Sequence, residues 1–355
     1  MHISDLLDEN KLKEEVKLGY ISERIHNSLP LKIYNYTPVT QYSQHWNEVT
    51  LQCRGLIIND AGTVIARPFE KIFNYAEVKD SLDTSGPVSV TDKLDGSLGI
   101  CFIYGGEYHV ATRGSFHSEQ AEWATAFVRA RSEYQQAIYN IQEQQQTPLV
   151  EIIYPENRVV VDYGKKEDLI LLGVRNYGND KSDVPPVPAG VLAGWPIGSI
   201  ALQFRCDNFN EALSLPPRKN AEGVVVYFGN TGIRVKIKQE DYVRLHKTIF
   251  SFSKKAVWED LSSGLFLMDI LEKLPDETHD LLQQYTDELS SEYNLLLDDI
   301  MSEYERLYLE TTGGTRKEWA YAIKDHKYKN YFWSILDRNF HNLEKAIWKA
   351  IKPRG

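Results

Sequence analysis

The sequence predicts an α+β chain in two parts, a mostly antiparallel sheet system followed by an all-helical segment. Three observations carry this. Between about Thr50 and Tyr242, short apolar or β-branched runs alternate with turn formers, the pattern of strands. Hairpin signals such as Asp60-Ala61-Gly62 and Tyr104-Gly105-Gly106-Glu107 stand between them, which favours antiparallel pairing over repeated βαβ units. After about His246 the alternation gives way to three- and four-residue apolar steps. The expected division is therefore 1–246 and 247–355, and a chain of 355 residues fits two domains on length.

In chain order, strands are expected at 56–58, 63–65, 99–104, 108–111, 149–154, 169–174 and 223–227. One long helix interrupts them. Ser118 is its cap, Trp123, Phe127, Ala130, Tyr134, Ile138 and Ile141 form its apolar stripe, and the polar tract 142–146 ends it. Residues 176–188, rich in Gly, Asp, Ser and Pro, read as a surface loop. In the helical part, Leu281, Tyr285, Leu289, Tyr293, Leu296, Ile300 and Tyr304 mark one helix, which Gly313-Gly314 stops. Thr315-Arg316-Lys317-Glu318 has capping-box spacing for the next, and 331–351 supplies a last amphipathic helix. The segment 276–310 is acidic and 316–354 basic. The basic half either faces phosphates or simply attracts the acidic helix.

Composition narrows the function. With 42% hydrophobic residues and a formal charge of -10, the chain is expected to be a soluble globular protein that does not coat nucleic acid non-specifically, so any polynucleotide contact is local. Cys53, Cys101 and Cys206 lie far apart, without zinc or disulfide spacing, which points to a reducing cytoplasm. The acidic start and the broken apolar stretch near 190–202 predict neither export nor a membrane role. No obligate protein partner is implied.

The chemistry centres on Lys93-Leu94-Asp95-Gly96-Ser97, an amine two residues before a carboxylate at a glycine turn. Such an amine can attack a nucleoside triphosphate if it is neutral, and nearby cations would disfavour its proton. Lys236-Ile237-Lys238 puts two ammonium groups on one strand face and can also neutralise phosphate oxygens. The alternative is an exposed edge strand. Asp95, Glu151 and Glu222 are carboxylates in or beside apolar runs. They either pair with basic residues or hold the waters of an octahedral Mg²⁺, and three of them along a chain with such a lysine favour the metal. Arg54 and Lys71 add positive charge for phosphate or ribose oxygens. Arg113 belongs to the same ordered set. Phe73 offers either a face to a base or a core contact, and the nine histidines show no ligand or triad spacing.

This ordered set resembles the covalent nucleotidyltransferase superfamily, and within it the phage-type RNA ligase 1 family. The resemblance rests on Cys53-Arg54-Gly55, Arg67-Pro68-Phe69-Glu70-Lys71-Ile72-Phe73-Asn74, Lys93-Leu94-Asp95-Gly96-Ser97-Leu98, Gly114-Ser115-Phe116-His117-Ser118-Glu119-Gln120-Ala121, Asn157-Arg158-Val159-Val160, Glu222-Gly223-Val224-Val225, Lys236-Ile237-Lys238 and Tyr242-Val243-Arg244-Leu245-His246. It implies an antiparallel-sheet ligase adenylation domain with an all-helical C-terminal domain of RNA-specificity character. It also implies ATP-dependent joining of RNA 5′-phosphate and 3′-hydroxyl ends, as in nicked tRNA, through lysyl-AMP on Lys93 and an RNA adenylate. Arg54, Lys71, Lys236 and Lys238 would hold nucleotide and phosphates. Asp95, Glu151 and Glu222 would hold the water shell of Mg²⁺ or Mn²⁺, with Glu151 or Glu222 also reaching the nucleoside. The helical part matches no family motif residue by residue, and His117 receives no role. The competing expectations are a DNA ligase or guanylyltransferase using the same lysine, and a non-catalytic RNA-binding module.

Overall fold

Three sheets are built on strands whose central residues are buried in continuous runs. The computed structural model describes residues 1–177, 194–240, 242–243, 253–264, 279–311 and 315–353, with the backbone alone for 279–281. The chain divides into two compact units, Met1–Ile249 and Phe250–Gly355. Residues 178–188 of the expected loop and the Gly313-Gly314 stop lie outside the described residues, and Asn176 is the last residue of a strand.

In the first unit, β1 (Ile21–Ile25), β2 (Leu31–Tyr36), β3 (Arg54–Asn59) and β4 (Val64–Ala66) form an antiparallel sheet in chain order. Strand structure thus begins well before Thr50. Leu31, Ile33, Ile57 and Ala66 on one face pack against Ile100, Phe102, Ala111 and Leu149 of a second sheet. The opposite face, with Leu56, Ile58 and Val64, buries Leu12 of α1 (Glu9–Lys17) and Val49 of α2 (Glu48–Gln52). The second sheet runs β10 (Asp168–Asn176), β9 (Gln146–Ile153), β7 (Ser97–Tyr104), β8 (Glu107–Ala111). Its far face, through Cys101, Val110, Val150, Ile152 and Leu169, packs on two helices. The layers are therefore helix, sheet, sheet, helix. Each Val, Leu, Ile or Phe side chain so withdrawn from water contributes about 1.5–3 kcal/mol.

The single helix expected after Ser118 is two, α3 (Glu119–Arg129) and α4 (Ser132–Glu143). Arg131 is extended (φ −134°, ψ 106°), and its guanidinium lies 3.6 Å over the Phe127 ring while Nη1 donates to the Phe127 carbonyl. Gln135 Nε2 donates to the carbonyls of Val128 and Arg129. Side chains thus satisfy the carbonyls at the end of α3, and a break costs no unpaired backbone. The stripe stays buried at Phe127, Tyr134, Ile138 and Ile141, whereas Ala130, at the break, is exposed.

The third sheet has the order β11 (Gln203–Phe204), β6 (Val88–Lys93), β12 (Gly223–Phe228), β13 (Arg234–Lys238), β5 (Phe73–Asn74). All its pairs are antiparallel except β13 with β5. The Lys236-Ile237-Lys238 string is therefore inside the sheet and not at its edge. Val90, Val224, Val226 and Val235 make one face apolar, and the residues between them make the other.

In the second unit, α6 (His279–Glu310) follows α5 (Lys254–Ser262). Leu289 and Ile300 are buried, and Tyr293, Leu296 and Tyr304 pack beside them, as the periodicity predicts. The capping box forms: Glu318 accepts from the Thr315 backbone N–H at the head of α7 (Arg316–Ala322). The expected last helix is again two, α8 (Lys329–Leu336) and α9 (Phe340–Ala350), divided where Arg338 takes φ +51° and Asn339 caps α9. Part of the basic charge is paired, with Arg316 on Asp337 and Lys327 on the Asp299 carboxylate of the acidic helix. Lys345 and Lys349 on α9 are exposed.

Gly223 is the tightest point of the third sheet, because a Cβ there would stand 2.1 Å from the Ile237 carbonyl oxygen. Gly223→Ala is expected to cost about 2–3 kcal/mol by forcing β12 away from β13, read as a lowered denaturant midpoint; an unchanged midpoint would contradict this packing.

Candidate active site

The register of the third sheet builds the site. Gly223 pairs with Lys93 on one side and Lys238 on the other, and Val225 likewise with Thr91 and Lys236. Residues in one lateral row share a face, so Lys93 and Lys238 project together with Lys236 one row further on, opposite the valine core. Glu222, 2% exposed, enters this row just before β12. Its Oε2 lies 2.5 Å from Lys93 Nζ and its Oε1 2.8 Å from Lys238 Nζ.

This corrects the expected environment of Lys93. A carboxylate, not a cation, is its nearest charged partner, and the two ammonium groups share it. Burial is the reason: a carboxylate so far from water needs paired cations, and the row supplies two. From the valine-lined side, Arg218 Nη2 donates to Asp92 Oδ1 and to the Gly223 carbonyl, both at 2.7 Å, tying β6 to β12 next to the row.

The turn after Lys93 is held from several directions. Asp95 N–H donates to Tyr163 Oη, Gly96 N–H to Glu151 Oε1 (2.9 Å), and Ser97 Oγ bonds Asn157 Oδ1. The Asp95 carboxylate accepts three bonds, from the Val160 and Val161 backbone N–H groups and from Tyr242 Oη, at 2.7–2.8 Å. Expected in a metal's water shell, it instead joins the lysine turn to segment 160–161 and to Tyr242. Gly96 is required by contact: a Cβ there would meet the Ile152 carbonyl at 2.6 Å and Glu151 Cγ at 3.2 Å.

Glu151 sits at the end of β9 facing this turn. Burial pushes its pKa up to about 8. The Lys93 ammonium opposes that rise, the negative charge of Glu222 adds to it, the Gly96 N–H opposes it and Asp95 adds a little. A carboxylate that burial keeps protonated at neutral pH, against the pull of one nearby ammonium, is one that a further cation would ionise.

Lys71 reaches the same sheet through β5, whose Phe73 and Asn74 pair with Val235 and Lys236. Its Nζ donates to Gln41 Oε1 and lies 5.0–5.6 Å from the centroids of Trp46, Tyr36 and Phe73. Phe73, which the sequence left between base and core contacts, is thus one wall of a cation–π box. Arg54 stands at the head of β3 in the first sheet, and Gly55 beside it lies against the Arg113 backbone. Arg113 in turn donates to Tyr36 Oη and stacks 5.2 Å from that ring. The structure therefore joins Lys93, Glu222 and Lys238 directly, sets Glu151 and Asp95 on the lysine turn, links Lys71 and Arg113 through Tyr36, and places Arg54 next to the Arg113 backbone through Gly55. Sequence reasoning missed Tyr36, Trp46, Gln41 and Tyr163, and gave Tyr242 no role beyond its place in a motif. Only the local run of Tyr34, Tyr36, Tyr42 and Trp46 hinted at the box, and Val-Ser-Val-Thr alternation before Lys93 could have revealed β6.

An antiparallel-sheet domain with a lysine at a strand end among buried counter-charges is the architecture of the covalent nucleotidyltransferase class. The chain belongs to the RNA ligase family, whose sequence profile it matches over residues 52–243. It is 25% identical over 271 residues to a protein of Autographa californica nuclear polyhedrosis virus provisionally named a bifunctional polynucleotide kinase/RNA ligase, covering 70% of this chain and 38% of that one. It is 24% identical over 379 residues to the RNA ligase of Rhodothermus phage RM378, covering 86% and 85%, and 29% identical over 151 residues to RNA ligase 1 of bacteriophage TS2126, covering 38% and 37%. The chain thus spans well under half of two of these relatives and most of the third.

The raised pKa of Glu151 fixes a pH dependence. The native state keeps its proton up to about pH 8, whereas the unfolded chain releases it in the ordinary glutamate range. The native state binds more protons in between, so this contribution to stability is full below that range and falls as pH rises through about 8. Glu151→Gln is expected to remove that slope, at most about 1.4 kcal/mol per pH unit; parallel Tm-versus-pH curves for the two proteins would contradict it.

Proposed function

We propose that the protein is an ATP-dependent RNA ligase that joins RNA 5′-phosphate and 3′-hydroxyl ends, with nicked tRNA a fitting substrate. The observation that carries this reading is the Lys93–Glu222–Lys238 row inside a domain of RNA ligase family membership. Lys93 Nζ attacks the α-phosphorus of ATP: an N–P bond forms, the bond to the diphosphate breaks, and the amine loses a proton. Glu222 Oε2, 2.5 Å away, is within reach to take that proton. The AMP then passes to the RNA 5′-phosphate, and the 3′-hydroxyl displaces it. Lys238, Lys236, Lys71 and Arg54 hold phosphate oxygens, and their charge stabilises the extra negative charge of the in-line transition state.

A divalent ion fits the donor set. Glu151 and Glu222 are hard oxygen donors that both face Lys93, and the Lys93 ammonium does not fully offset the burial of Glu151. These two would hold Mg²⁺ or Mn²⁺ through water, since Mg²⁺ keeps several waters and takes one or two carboxylates. When bound, the ion supplies positive charge to the phosphate oxygens and loosens the carboxylates' hold on Lys93.

Incubation with α-labelled ATP and a divalent ion is expected to leave label on Lys93 that survives alkali and is released by acid, as an N–P bond requires, and none on Lys93→Ala, which should still seal pre-adenylated RNA. GTP in place of ATP, and nicked DNA in place of RNA, are expected to react at least about tenfold less well. Preference for either would assign the lysine to a guanylyltransferase or DNA ligase, and no adduct with any nucleotide would leave an RNA-binding module.

A further inference from the structure

A second pocket, of about 440 Å³, opens in the first unit away from Lys93. Its walls include His26, His109, His117, Phe102, Phe116 and Arg129. Phe102 lies five residues along β7 from Ser97, about 17 Å down the strand from the lysine turn. The three histidines gather there from separate segments, with His26 4.6 Å from His117 and 6.4 Å from His109 between ring centroids.

The surroundings assign the ring protons. His26 Nδ1 accepts from the backbone N–H groups of Ser28 and Leu29, both at 3.1 Å. Burial, helped by His117, lowers the His26 pKa, so the neutral ring carries its hydrogen on Nε2 and offers a donor. His109 is the reverse. A hydrogen bond with the Tyr104 backbone engages the ring, burial is the main cause of its lowered pKa, and its Nε2 is buried with no hydrogen-bond partner among the described residues. That nitrogen is an acceptor lacking a donor, which a native interior rarely tolerates without a ligand or water. Flat apolar surface flanks the two: Phe102 stacks on His109 at 5.3 Å and 15°, and Phe116 lies 5.0 Å from His26. Arg129 is already engaged, donating to the Tyr108 carbonyl with Glu107 3.6 Å away, and Glu122 lies 4.0 Å from His117.

An unmet acceptor near a donor, between aromatic walls, matches the edge and faces of a nucleobase better than a phosphate, which would need free cations. We propose that this pocket takes one unstacked base of the RNA strand, its N–H donating to His109 Nε2 and its adjacent acceptor receiving His26 Nε2–H. The proposal rests on the RNA ligase reading. The pocket lies far from the reacting lysine, so it would anchor the strand and leave the chemistry to the third sheet.

The test uses the full chain after reaction with ATP, so that the adenosine site is filled. Binding of a blocked RNA 12-mer (5′-hydroxyl, 3′-phosphate) is compared with that of the same backbone carrying abasic positions. The base-dependent gain is expected to fall about tenfold in His109→Phe and in His26→Phe, the size of one stacked, hydrogen-bonded base. Abasic binding and self-adenylation should stay at wild-type level, which also shows that both variants fold. A 4-thiouridine 12-mer should crosslink to the peptide containing Phe116 and His117. Unchanged base-dependent binding in both variants, or equal loss for the abasic strand, which would mark a phosphate site, overturns the proposal. If wild-type protein takes no AMP, the ligase reading fails, while base-dependent binding to the unmodified chain still decides the pocket.

Discussion

The site depends on one buried carboxylate shared by two ammonium groups. Glu222 has almost no contact with water, and Lys93 and Lys238 reach it from the strands on either side. Desolvating such a charge is costly, and removing one partner of a buried pair destabilises by several kcal/mol. The arrangement persists because the sheet imposes it: Gly223 lets β12 approach β13 closely, and antiparallel register puts both lysines in its row. The same constraint makes the site responsive, since any ligand that brings negative charge to Lys238 competes with Glu222 for it.

Around that row the protein places its tyrosines and aromatic rings as fasteners. Tyr163 and Tyr242 hold the turn after Lys93 by its backbone and by Asp95. Tyr36, Trp46 and Phe73 surround the Lys71 ammonium, so that a long flexible side chain is kept in one place. Holding charged groups before substrate arrives reduces the reorganisation a reaction must supply. The Glu151 carboxylate stands apart in this scheme, because the positive charge nearby does not fully offset its burial.

Much of the fold was legible. Strand runs such as 99–104 and 149–154 are near-continuous apolar stretches, and they became the central strands β7 and β9, covered on both faces. The capping box at Thr315 depends on four adjacent residues and formed as read. Helix continuity was less legible. Periodicity runs unbroken through Ala130 and through Arg338, yet both helices break there because side chains such as Arg131, Gln135 and Asn339 satisfy the exposed backbone groups. The order of Lys93, Glu151, Glu222, Lys236 and Lys238 pointed to one site, but not to which charge meets which.

The sequence by itself determined the alternation that sorts Lys236 and Lys238 from Ile237, the turn that follows Lys93, and the family to which these residues belong. Those properties are local or ordered along the chain, so a linear reading reaches them. Only the tertiary structure decided that Glu222 lies between Lys93 and Lys238, that Asp95 serves the backbone of segment 160–161, and that His26, His109 and His117 meet at one pocket. Each of these depends on strand register and sheet packing between residues tens of positions apart, where a shift of one residue would turn the side chains to the opposite face.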